Sequence, residues 1–256
     1  MTKRVISVFL CVLCVISSIS FIVSAKENKE YTSDNFLSVA DSIIAWKKAD
    51  NGSEPDGYLI NDKYLENAGT TPGDWYPIAL GRLGIQDNNE GYLAVIKDRV
   101  EERYRESGRL SAAKATEWHR IALAVLAMGG DPTNFGTDEN GAPINLIADG
   151  TYDRGKTTPL GRQGINGWIW GLITLDSMRY AVPDGAYNTR DDIIVEIISK
   201  QLSDGGFALS SDDADPDITA MAITALAPYY NSEKIYSYHR KALSADESKT
   251  VHEVVD

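Results

Sequence analysis

Four polar side chains stand at matching places in four apolar segments: Asp74, Glu117, Asn166 and Asp217. Asp74 and Glu117, with His119 close by, are the residue types that a polysaccharide lyase or hydrolase sets in a groove for proton transfer. Asp215 and Asp217, separated only by Pro216, could make a proton donor if burial and the neighbouring carboxylate kept one of them neutral. A second role is open to all of them. A polar residue opening an apolar helix caps free N–H groups. Trp75, Trp118, Trp168 and Trp170 lie in the same segments. Their rings serve either as core or as the wall of a ligand cavity opening at the helix starts.

Other chemistries are disfavoured. His119, His239 and His252 are far apart and show no metal spacing. Asp212, Asp213, Asp215 and Asp217 lack the glycine-bearing loop and terminal Glu of a calcium site, and the stretch from Thr137 to Gly141 starts such a loop but runs into Ala142-Pro143. Both read as solvated acidic turns. No nucleophile elbow, phosphate loop or zinc-protease motif occurs. No metal and no cofactor is expected. With 25 Lys and Arg against 37 Asp and Glu, the formal net charge is -12, which argues against nucleic acid as a partner.

The first residues look like a targeting segment. Lys3 and Arg4 precede an apolar run over 5–23, and Val23-Ser24-Ala25 supplies the small residues a signal peptidase reads. The expectation is a cleaved signal at 1–25, a secreted domain at 26–256, and a mature chain without cysteine, since Cys11 and Cys14 lie in the run. The alternative is a membrane anchor formed by that run.

Helical periodicity must position the candidate residues. Phe36, Leu37, Ala40, Ile43 and Ile44 recur at three and four. So do Tyr92, Val95, Ile96, Val100 and Tyr104, and again Ile193, Ile194, Ile197, Ile198 and Leu202. These predict amphipathic helices that cover a core. Segments 75–83, 118–128, 168–175 and 218–227 are almost wholly apolar and predict buried helices. DWYPIALGRL, EWHRIALAVL, NGWIWGLITL and DITAMAITAL stack without gaps at intervals of roughly 45 to 50 residues. Each has a small residue five places on: Ala79, Ala122, Gly171 and Ala222. Such a residue lets neighbouring helices approach closely. Residues 131–164 read as a long loop with one short helix near 145–149. No stretch shows sustained strand alternation. The fold class is all-α: about four helical hairpins, with buried helices as an inner layer and amphipathic helices as an outer one.

KQLSDGGF from Lys200, the DADPDITAMAITALAPYY stretch from Asp213 and GINGWIWGLITLDS from Gly164 resemble repeats of the prenyltransferase and squalene cyclase superfamily. The resemblance implies an α/α toroid. It says less about activity, because the superfamily holds enzymes and binding domains alike. A protein prenyltransferase needs a zinc-binding Cys, which the mature chain lacks. A squalene-type cyclase needs a DxDD acid motif. Asp215 and Asp217 match its first and third positions, but Ile218 stands at the fourth. The leading expectation is therefore a non-catalytic secreted domain binding a small molecule or a surface glycan in its concave face. The contacts would come from Asp74, Trp75, Glu117, Trp118, His119, Asn166, Trp168 and Asp217. A degenerate cyclase and a polysaccharide lyase or hydrolase are the alternatives. Past Tyr230 the sequence turns polar until Val251, Val254 and Val255. This predicts an open crescent with one side of segment 218–227 uncovered, completed by a second copy or a partner chain.

Overall fold

The computed structural model describes residues 32–154 and 159–256. The expected signal segment and its two cysteines lie outside them. The chain divides into two units, Met1–Asp50 and Asn51–Asp256. In the first, the described residues are the body of helix α1 (Ser33–Asn51), on which Phe36, Leu37, Ile43 and Trp46 are exposed. No helix among the described residues is long and apolar enough to cross a membrane.

The second unit is helical, with one small hairpin of strands. Its elements are α2 (Asp62–Leu65), α3 (Thr71–Leu83), α4 (Asn89–Ser107), α5 (Thr116–Ala127), α6 (Leu146–Gly150), α7 (Ile165–Asp176), α8 (Arg190–Ile198), α9 (Pro216–Leu226), β1 (Tyr236–Arg240), β2 (Ala245–Lys249) and α10 (Val251–Val255). The all-α expectation holds, and the short helix expected inside the 131–164 loop is α6.

The four apolar segments form α3, α5, α7 and α9, which pack each on the next. They run parallel. Asp74 meets Arg120 near the starts of α3 and α5, and Gly81 meets Ala127 near their ends. The ends of α7 and α9 are joined by the Tyr229 hydroxyl, which donates to Asp176 at 2.8 Å. The intervening helices cover this row. On α4 the residues Tyr92, Ile96, Val100 and Tyr104 recur every fourth place and are buried. On α8 the residues Ile193, Ile194, Ile197 and Ile198 are fully buried, each contributing about 1.5–3 kcal/mol of transfer free energy.

Close approach in the row does not follow the expected small residues throughout. Ala122, Gly171 and Ala222 are buried, but Ala79 is exposed. On α3 the contact is made by Gly81, where a Cβ would stand 2.1 Å from the Ala127 carbonyl oxygen. Pro77 interrupts the hydrogen-bond ladder of α3 and leaves the Gly73 carbonyl without its helical partner. The Tyr64 hydroxyl donates to that carbonyl instead, at 2.9 Å.

The polar segment after Tyr230 is not irregular, which corrects the absence of strands expected from sequence. Strands β1 and β2 pair antiparallel, with Tyr236 opposite Lys249 and Arg240 opposite Ala245. Tyr236, Tyr238 and Arg240 turn inward. The hairpin packs on α8, where Arg240 donates to the Gln201 and Leu202 carbonyls. Val251 and Val254 of α10 are buried as well. The last amphipathic helix is thus covered, whereas α9 keeps Ala220, Ile223 and Thr224 exposed along one side.

Candidate functional site

The starts of α3, α5 and α7, with the middle of α9, line an open cavity of about 340 Å³. Thr71 and Trp75 of α3, Thr116, Glu117 and Arg120 of α5, Asn166 and Trp170 of α7, and Met221 of α9 all reach it, with Lys114 from the loop before α5 and Gln163 from the 3-10 turn Leu160–Gln163 before α7. The rings of Trp75 and Trp170 lie 5.6 Å apart at 56°. Since α5 lies between α3 and α7 in the row, this contact shows the first and third helices converging on the cavity side. Trp75 stays 42% exposed.

One arginine organises the wall. All five N–H groups of Arg120 are used. Its Nε donates to Asp74 Oδ2 at 2.8 Å. Its Nη1 donates to Thr71 Oγ1 at 3.2 Å and Glu117 Oε1 at 2.9 Å. Its Nη2 donates to the Gly69 carbonyl at 3.1 Å and Glu117 Oε2 at 3.1 Å. Asp74 is fully buried. Its Oδ1 accepts from the Gly69 amide and the Tyr92 hydroxyl, both at 2.7 Å. Burial pushes the Asp74 carboxyl above its usual value, against the pull of Arg120, Tyr92 and Gly69. Glu117 is also penalised by burial, but Arg120 and Arg103 together hold its carboxyl below the usual range. Asp74 therefore stands behind the cavity wall. It does not cap α3, which starts three residues earlier at Thr71.

The other sequence candidates go elsewhere. Trp118 is core: its indole N–H donates to the Tyr104 hydroxyl at 2.8 Å, which donates to Asp149 at 2.6 Å. The Arg154 guanidinium lies over its ring at 4.0 Å. Trp168 packs on Gly161, with Lys200 Nζ at 6.0 Å from its ring centre. Asp215, not Asp217, is the cap of α9, accepting from the amides of Asp217 and Ile218 at 2.8 and 3.0 Å. Both aspartates are exposed, and neither lines the cavity. The structure thus brings Trp75, Glu117 and Asn166 together with the unforeseen Arg120, Lys114, Gln163, Thr71, Thr116 and Met221. Arg120 had a readable signal, because a cation inside an apolar helix requires a carboxylate on a neighbouring one. Among the described residues no group of His, Cys, Asp and Glu is arranged to hold a metal ion.

Buried His119 faces away from the cavity. Its Nε2–H donates to the Gly150 carbonyl at 2.7 Å, and its Nδ1 has no partner. Burial, with some repulsion from Arg154, pushes its pKa down to about 4. Below the ordinary value of 6.5 the unfolded chain takes up a proton that the folded chain refuses. Stability from this site is therefore complete above about pH 6.5 and is lost as pH falls toward about 4, a loss of about 3 kcal/mol. Urea titrations of the wild type and His119→Gln across that window check it. The variant should show a shallower decline, and parallel curves would refute the assignment.

A second cavity, of about 260 Å³, lies on the other side of the Ala68–Thr70 turn, with Arg99 and Arg103 in its wall. Arg99 donates to the Leu65, Glu66 and Ala68 carbonyls. The chain matches no family model, no curated protein and no solved structure.

Proposed function

We propose that the protein is a non-catalytic binding module, exported from the cell, whose ligand is a small molecule or glycan unit seated against the Trp75–Trp170 pair. The observation that carries this is the tilted pair of indoles in the wall of a cavity that also carries the polar side chains of Thr116, Gln163 and Asn166. A volume of about 340 Å³ falls within the ~300–1,000 Å³ range of small-molecule sites. Indole faces suit the C–H face of a sugar ring, and Asn166, Gln163 and Thr116 suit its hydroxyls. The N-terminal targeting pattern supports export. The resemblance to squalene cyclase repeats, together with the parallel, converging inner helices, supports an α/α-toroid type of architecture.

Catalysis of either alternative type finds less support. Asp215 is committed to capping α9, and Asp215 and Asp217 both stand in solvent away from the cavity. Asp74 and Glu117 are both committed to Arg120. The test is tryptophan fluorescence titration with neutral mono- and disaccharides and with isoprenoid alcohols. We expect saturable quenching by a saccharide, weakened about tenfold or more in a folded Trp170→Ala protein, the loss typical of a stacking side chain. No saturable response to any saccharide, or turnover of an isoprenoid, would refute the proposal.

A further inference from the structure

We infer that α1 is a self-association surface: its exposed apolar stripe pairs antiparallel, about a two-fold axis, with α1 of a second copy of this chain.

The stripe follows from spacing. Phe36, Val39, Ile43 and Trp46 stand three, four and three residues apart, which places them on one face as the seam of a two-helix pair. All four are exposed, at 59, 54, 49 and 62% respectively. Asp50 ends the stripe one step further along the same face, where it pairs with Lys47 at 2.6 Å. A helix of 19 residues is marginal in water unless its apolar face is packed.

The order of the side chains names the occupant. Read in either direction, the stripe runs aromatic, β-branched, β-branched, aromatic, with the same spacing. A surface of that kind is complementary to itself. Antiparallel pairing sets Phe36 against Trp46 of the second copy at both ends, and Val39 against Ile43 in the middle. Ring pairs at the ends add to the burial, and the two helix dipoles oppose. The exposed part of the stripe amounts to about 450 Å² a side, so a pair buries roughly 900 Å², below the ~1,200 Å² of stable complexes. The dimer is therefore weak and reversible. Other occupants fit less well. A membrane-surface helix carries a basic polar face, whereas α1 has Asp34, Asp41 and Asp50 against Lys47 and Lys48. The residues just before it include Lys26, Glu27, Lys29 and Glu30 and offer no apolar cover.

Sedimentation equilibrium of the purified chain, at concentrations up to about 1 mM, tests this. The wild type is expected to pass from monomer to dimer with a Kd on the order of 100 μM. Val39→Lys and Ile43→Asp, each alone, should weaken the dimer about tenfold or more. An equimolar mixture of the two variants should regain it. Position 39 of one chain then faces position 43 of the other with opposite charge, and the second middle layer keeps its native pair. Ala45→Asp, on the polar face of α1, should leave the Kd unchanged. A wild type that stays monomeric at the highest concentration, or a dimer indifferent to both stripe variants, overturns the inference. So does a mixture no tighter than its components, or a dimer lost instead to Ile223→Asp on the open side of α9.

Discussion

Replacing Arg120 by leucine is expected to cost about 3–5 kcal/mol of folding stability. Among the described residues Arg120 is the sole charge partner of Asp74, which has no exposure to water. With the guanidinium gone, the Gly69 amide and the Tyr92 hydroxyl still donate to Asp74, but neither carries a charge. The carboxylate must then stay buried and unbalanced or take up a proton, and either outcome disfavours the fold. Glu117 loses its bidentate partner at the same time. Domain stabilities are typically about 5–15 kcal/mol, so the variant would retain only part of the total. A double variant, Asp74→Leu with Arg120→Leu, should recover a sizeable fraction, because no charge is left stranded. Urea midpoints of the three proteins measure this. A loss below about 1 kcal/mol in the single variant would mean that the pair is solvated.

The second large effect is steric. Gly81→Val should prevent α3 and α5 from closing. Even the Cβ of an alanine would stand 2.1 Å from the Ala127 carbonyl oxygen, which belongs to the backbone and cannot rotate aside. In an exposed helix, Gly→Ala stabilises by about 1 kcal/mol. Here the sign is expected to reverse, with Gly81→Ala losing about 1–3 kcal/mol and Gly81→Val losing more. Thermal unfolding followed by circular dichroism supplies the check. A Gly81→Ala protein more stable than the wild type would show that the helices are farther apart than 2.1 Å allows.

Gly81 also shows where sequence reading loses its grip. Stacking the four segments aligned Ala79 with Ala122, but the close approach of α3 to α5 falls at Gly81, two residues further on. A shift of two residues turns a helix by about 200°, so a matched column does not share a face. The same shift puts Trp75 in the cavity and Trp118 in the core. The apolar periodicity was legible because it is the burial pattern itself, and α3, α5, α7 and α9 follow from it. The hairpin was not legible. Of its inward residues, Tyr236, Tyr238 and Arg240, one is charged, and five residues are too few to establish alternation. Part of the cavity could be read: Trp75, Glu117 and Asn166 were visible at helix starts. Lys114 comes from a loop and Gln163 from the short 3-10 turn Leu160–Gln163, and periodicity encodes the course of neither.

The Tyr64 hydroxyl on the Gly73 carbonyl has a consequence for sequence change. Proline at 77 withholds an amide, and the phenol of Tyr64 stands in for it. The two positions are therefore epistatic. An alanine at 77 would bring its own N–H to the same carbonyl, and the hydroxyl at 64 would become nearly dispensable. With proline retained, Tyr64→Phe strands a buried acceptor. Drift at position 64 is thus tolerated only on a background that has already lost Pro77, and the order of the two substitutions decides which path stays folded.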